Sequence, residues 1–159
     1  MGYTFSAEQT VTAASGARTH LMSIRPKTTF NSLANRTKFV LESIQFLVTG
    51  ANPVLWELCV GQAITAASYA DANSTYSGFE FGSGTISGSP TIVLIAGYSP
   101  GSGGGTSPAQ ASLATLSNRY PITLDSSGAV RALGTLSLIV TGIGGTSAMR
   151  GSFNWREIR

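Results

Sequence analysis

The 159-residue sequence has one cysteine, one histidine and only 11% charged residues. Each shortage excludes something. A single Cys cannot form a disulfide within the chain, and Cys59 in the apolar run "LWELCVG" reads as a small buried hydrophobe. One His and one Cys cannot assemble a zinc site from ordinary ligands, so neither metal nor cofactor is expected. A Ser–His–Asp triad would need His20 with Asp71 or Asp125. No G-x-S-x-G elbow accompanies them, and "ARTHLMSI" reads as a strand in which a lone histidine is structural. No stretch approaches the roughly 18 uninterrupted apolar residues of a membrane span, and "MGYTFSAEQ" has neither the basic region nor the apolar segment of a signal peptide.

The charges that are present say little of chemistry. Ten bases face seven acids, for a net charge of +3, and eight of the ten are Arg. They are scattered and never form a run, so no nucleic-acid partner is expected. Arg in this setting suits bidentate or interface pairing. None of Glu8, Glu42, Glu57, Glu80, Glu157, Asp71 and Asp125 is spaced as a glycosidase pair requires, and pairing with Arg is the simpler fate of those in strands. No enzymatic activity is expected. An average soluble domain carries about 25% charged residues, and a surface so short of charge is poorly protected against association. That favours life within an assembly.

What the chain does contain is strand after strand. Runs rich in Val, Ile, Thr and aromatics alternate with Gly/Ser/Pro/Asn clusters, the pattern of an all-β antiparallel β-sandwich of about eight strands. They are expected at Thr19–Ile24, Lys38–Val48, Val54–Val60, Ser77–Phe81, Thr91–Ala96, Ile122–Leu124, Thr135–Thr141 and Ala148–Ile158, with a weaker one at Ala63–Tyr69. Residues 1–18 read as a polar N-terminal arm, disordered or docked on a partner, and 19–159 as one domain. The stretch "GYSPGSGGGTSPAQ" predicts a Gly-rich surface loop over 97–109. In Lys38–Val48 both faces carry apolar residues, which predicts a central strand or one covered by a neighbouring subunit. In Val54–Val60, Trp56 shares an apolar face with Val54, Leu58 and Val60. At the C-terminus, "TLSLIVTG" and "AMRGSFNWREIR" flank Gly-Gly-Thr-Ser and read as a closing hairpin, with Met149, Gly151, Phe153 and Trp155 on one face.

Three segments together carry a resemblance: "RPKTTFNSLANRTKFVLESIQFLVTGANPVLWEL", the Gly-rich strands, and "GTLSLIVTGIGGTSAMRGSFNWREIR". Over residues 18–159 the chain resembles a class of small tailed-bacteriophage structural proteins. The matching positions are Asn35, Arg36, Glu57, Leu58, Gly145, Thr146, Asn154, Trp155, Arg156 and Glu157. The resemblance implies a jelly-roll-like β-sandwich carried on virions, often as a homotrimer. Its role would be a capsid cement or decoration protein on the outer capsid surface, with the major capsid protein as partner. Trp56, Phe153 and Trp155 would then be core or subunit anchors, and Arg156 and Glu157 pairing groups between strands or subunits. The arm 1–18 would be the capsid contact. The alternative is a tail or head fibre module that binds a receptor or glycan through Tyr69, Tyr76, Tyr98 and Tyr120. A chain beginning at Met1 with no shaft segment favours cement.

Overall fold

Strand β12 (Ser147–Ile158) buries every second residue. Met149, Gly151, Phe153, Trp155 and Glu157 point inward, while Arg150 and Arg156 face solvent. This alternation is the pattern of a sheet with one face on a core. In the computed structural model, which describes residues 2–102, 122–131 and 133–159 and the backbone of 109–112, that core lies between two antiparallel sheets. The other strands are β1 (Gly2–Ala13), β2 (Thr19–Pro26), β3 (Thr29–Phe30), β4 (Leu33–Ala34), β5 (Lys38–Val48) and β6 (Val54–Val60). They continue as β7 (Ile64–Asp71), β8 (Phe79–Ile86), β9 (Ile92–Ser99), β10 (Ala109–Ser112) and β11 (Leu136–Gly142). No helix among the described residues is long and apolar enough to cross a membrane.

The sheets run β1-β12-β5-β10 and β7-β8-β2-β11-β6-β9, with β3 and β4 as a separate small hairpin. Leaving that hairpin and β7–β8 aside, eight strands remain, and they pair first with last, second with seventh, third with sixth and fourth with fifth. This is a long antiparallel ribbon folded back on itself and rolled, which is a jelly roll. The β7–β8 hairpin is inserted at the ribbon's tip and widens the second sheet beside β2. Both inner faces meet in one core, with Leu21, Met22, Ile24, Leu58 and Leu138 from one sheet against Ile44, Phe46, Met149 and Phe153 from the other. Aromatic rings run across it. Phe5 lies 5.9 Å from Trp155, Trp155 lies 5.9 Å from Phe39, and Phe39 lies 5.2 Å from Phe79 on the facing sheet. Gly151 lets the sheets approach, since a Cβ there would stand 2.5 Å from Leu21 Cδ2.

Several expectations are corrected. Residues 2–13 are not an arm: β1 pairs with β12 along its whole length, from Gly2 opposite Ile158 to Ala13 opposite Ser147. Its inward positions hold Phe5, Ala7, Val11 and Ala13, so period two is present but small alanines weaken it. The C-terminal pair is not a hairpin either. β11 bonds to β2 and β6, whereas β12 bonds to β1 and β5 in the other sheet. Each strand carries apolar residues on one face, and placing them in opposing sheets turns those faces toward each other. In β5 the second apolar face is a phase shift. A bulge leaves Glu42 unpaired between Leu41, opposite Trp155, and Ser43, opposite Asn154. Phe39 and Leu41 before it, and Ile44, Phe46 and Val48 after it, therefore all reach the core. The bulge re-aims the strand.

Other differences are smaller. Ile122–Leu124 is not a strand; Leu124 bridges to Val130 across a turn, and Ile122 is buried in the core. The strand expected at Ser77 starts at Phe79, because Ser77 and Gly78 are committed elsewhere. Of the Gly-rich loop, 97–99 belong to the end of β9 and 103–108 lie outside the described residues. Gly97 is bare because Trp56 covers it: a Cβ there would sit 2.5 Å from Trp56 Cζ2.

Candidate functional site

Polar groups converge at one end of the roll, where β12 finishes. Its alternation turns Glu157 inward, and the side chain is fully buried. A buried carboxylate must be supplied with donors. The Ser77 hydroxyl donates to Oε1 at 2.5 Å, the Gly78 amide to Oε2 at 2.9 Å, and the Trp155 indole N–H to Oε1 at 3.0 Å. Arg159 stands 3.8 Å away. Asn35 holds Gly78 from the other side. Its amide donates to the carbonyls of Gly78 and Lys27 at 2.6 and 3.0 Å, and its Oδ1 accepts the Thr37 N–H at 3.0 Å. The turn between β7 and β8 is fixed by Asn73 Oδ1, which accepts the amides of Thr75 and Tyr76.

The last residue is pinned on this end. The Arg159 guanidinium lies 4.3 Å over the Phe30 ring and 5.0 Å over Tyr3, and donates to the Tyr76 carbonyl. Tyr3 stacks on Tyr76 at 6.0 Å. These contacts tie down a terminus that would otherwise fray. Their chemistry is structural: donors saturate an anion and rings sandwich a cation.

His20 sits on the outward side of the second sheet yet is 5% exposed. The Gly84 N–H donates to Nδ1 at 2.9 Å, so the proton of the neutral ring is on Nε2. That N–H reaches Ser23 Oγ at 2.7 Å, and Ser23 lies 2.6 Å from Ser137 Oγ. Burial lowers the imidazole pKa to about 4, against the opposing hydrogen bond to Gly84. A triad histidine takes a proton from serine and is oriented by a carboxylate at Nδ1. Here Nε2–H donates a hydrogen bond to the serine and an amide fills the orienting place, so Ser23 is not activated. Cys59, opposite Ser137 on β6, is fully buried, and burial pushes the thiol up to about 11 despite Arg18 Nη2 at 3.4 Å.

The carboxylates are spoken for. Glu57 pairs with Arg18 at 2.8 Å, Glu80 with Arg25 at 2.6 Å, Asp71 with Lys27 at 3.3 Å, Glu8 with Arg150 at 3.5 Å and Glu42 with Arg156 at 3.6 Å. Asp125 accepts from the Ser127 hydroxyl and from the amides of Ser127 and Ala129, which together hold its carboxyl below the usual range. Among the described residues no three of His, Cys, Asp and Glu are grouped to hold a metal.

The anchors named from sequence separate into two kinds. Phe153 and Trp155 are fully buried and Trp56 is 7% exposed, stacked on Phe46 at 5.0 Å. Glu157 is the buried anion, whereas Arg156 is an outer-face residue paired with the bulge residue Glu42. Among the described residues, Tyr69, Tyr76 and Tyr98 do not share a surface. Tyr69 is half-buried under Arg25 at 3.7 Å, where burial raises its phenol pKa. Tyr98 is exposed on β9, Tyr76 lies on Tyr3, and Tyr120 is outside the described residues. Sequence reasoning did not place Ser77 or Gly78 with Glu157, and no local signal could, since these partners lie some 80 residues away. The chain matches no protein-family model, no curated protein and no solved structure.

Proposed function

We propose that this chain is a virion structural protein of a tailed bacteriophage, a cement or decoration protein that binds the assembled head on its outer surface. One observation carries the reading: four residues of the phage-like pattern, distant in sequence, lock the roll at its two ends. Asn35, Trp155 and Glu157 meet around Gly78 at one end. At the other end the carbonyl of Thr146 accepts from Asn52 at 2.9 Å. A protein whose one fully buried carboxylate serves closure has the character of a building element. Binding only the assembled lattice stabilises it by mass action.

Assembly as a homotrimer, with avidity from three linked chains, belongs to the same proposal. The support moves from β5 to β9, an edge strand without a charged residue. It exposes Ile92, Val93 and Tyr98, with Leu133 exposed as well. An apolar open edge is a surface that natural proteins ordinarily blunt or cover. For the receptor- or glycan-binding fibre alternative, Tyr69, Tyr76 and Tyr98, the described ones of its four tyrosines, supply no common surface.

The test is co-sedimentation of the purified chain with stripped heads and, separately, with detached tails. Saturable binding to heads at several copies per capsomer is expected. Binding only to tails, or to neither, ends the reading. Light-scattering mass measurement tests the trimer, and a monomer at all concentrations overturns it.

A further inference from the structure

The six ion pairs leave a remainder, and it is gathered in one place. Among the described residues Asp125 is the acid with no base within 4 Å, and Arg36, Lys38 and Arg131 are the bases with no carboxylate. Arg36 and Lys38 are exposed on the run leading into β5. Arg131 acts electrostatically on Asp125. Two troughs lie on either side of residues 34–37. One, of about 670 Å³, is lined by Phe30, Leu33, Ala34, Arg36 and Arg159. The other, of about 350 Å³, runs from Arg36 and Thr37 to Leu124 and Asp125. Arg36 lines both.

The ridge between them is rigid. Asn35 and Thr37 are buried and bonded to each other, so the exposed Arg36 is presented from a fixed backbone. Next to it the β3–β4 turn carries Asn31 and Ser32 at φ of 50° and 63°, and holds Leu33 out at 72% exposure. An aliphatic side chain and an unneutralised guanidinium thus stand side by side above an apolar trough.

We infer that this end of the roll is a docking site for an extended acidic peptide segment of a partner protein, its aliphatic side chains in the Phe30–Leu33–Ala34 trough and a carboxylate on Arg36. Charge complementarity selects the anion, and the fixed ridge limits the ordering needed on binding. A sugar suits the site less well, because the ring faces are occupied: Tyr3 by Tyr76 and Phe30 by Arg159. Nucleic acid would require a basic stripe and free stacking platforms. The shallow dent of about 270 Å³ beside Gly151 offers no comparable charge, since its Glu8 and Arg150 pair with each other. The inference is independent of the virion reading.

The probe is an end-blocked peptide of alternating Leu and Asp, titrated into the full chain with backbone amide shifts as the readout. Saturable binding is expected, with shifts centred on residues 30–37. Arg36→Gln should weaken it about tenfold, as loss of a charge-assisted contact does, and should leave the unfolding midpoint unchanged. Arg156→Gln, on the outer face of β12 and paired with Glu42, should leave binding unchanged. Raising salt from about 50 to about 300 mM should weaken binding severalfold. Equal binding of a Leu–Asn peptide, indifference to Arg36→Gln, tighter binding of a single-stranded oligonucleotide, or shifts elsewhere on the roll would each overturn the proposal.

Discussion

Replacing Glu157 by Ala while its neighbour Arg156 is replaced in a second variant puts the reading of the closing cluster at risk. Glu157 accepts from three donors in a fully buried site. Without the carboxylate the Ser77 hydroxyl can turn to the Phe79 carbonyl, already 3.3 Å away. The Gly78 amide and the Trp155 indole N–H have no such alternative and are left unsatisfied. At about 1–3 kcal/mol for each stranded donor, the loss is about 4 kcal/mol, in line with breaking a buried ionic pair. For a domain of this size that lowers Tm by about 8–16 °C. Glu157→Gln keeps one acceptor oxygen and should lose about half as much. Arg156→Ala breaks only its pair with Glu42, whose partners are 49% and 40% exposed, and should change stability by less than about 0.5 kcal/mol. Urea unfolding followed by fluorescence of the two tryptophans measures all three variants. Equal effects of Glu157→Ala and Arg156→Ala, or a loss under about 1 kcal/mol for Glu157→Ala, would refute the account.

Three further outcomes follow from buried groups. Because burial holds the His20 pKa near 4 in the fold, against 6.5 when unfolded, the unfolded chain takes up its proton first as pH falls. Stability is therefore complete above about pH 6.5 and declines by about 3 kcal/mol down to pH 4; urea midpoints across this range should show the decline, and His20→Gln should remove it. Cys59, with its thiol pKa near 11 and no exposed surface, should resist a thiol reagent at pH 8 until the chain unfolds. Labelling of native protein within minutes would contradict its placement. Gly97→Ala forces a Cβ to 2.5 Å from the Trp56 indole, so overpacking should lower stability by about 1–3 kcal/mol and shift Trp emission; an unchanged spectrum and midpoint would show that the ring is not seated there.

By itself the sequence determined whatever depends on neighbours along the chain. Period two on "AMRGSFNWREI" set the inward face of β12, and the same rule set Trp56 and Leu58 on β6, because successive side chains of a strand must point to opposite faces. Tertiary structure decided everything that depends on a partner far away. Only pairing with β12 makes the polar segment 2–13 a strand, since an edge strand with Ala7 and Ala13 inward buries too little to declare itself. Only the bulge at Glu42 turns two apparent apolar faces of β5 into one, because an extra residue reverses the side-chain phase without altering composition. The sheet switch between β11 and β12 follows from both apolar faces needing the same core. The closing cluster joins Asn35, Gly78 and Glu157 across the roll, and hydrogen bonds between such distant residues leave no period in the chain to read.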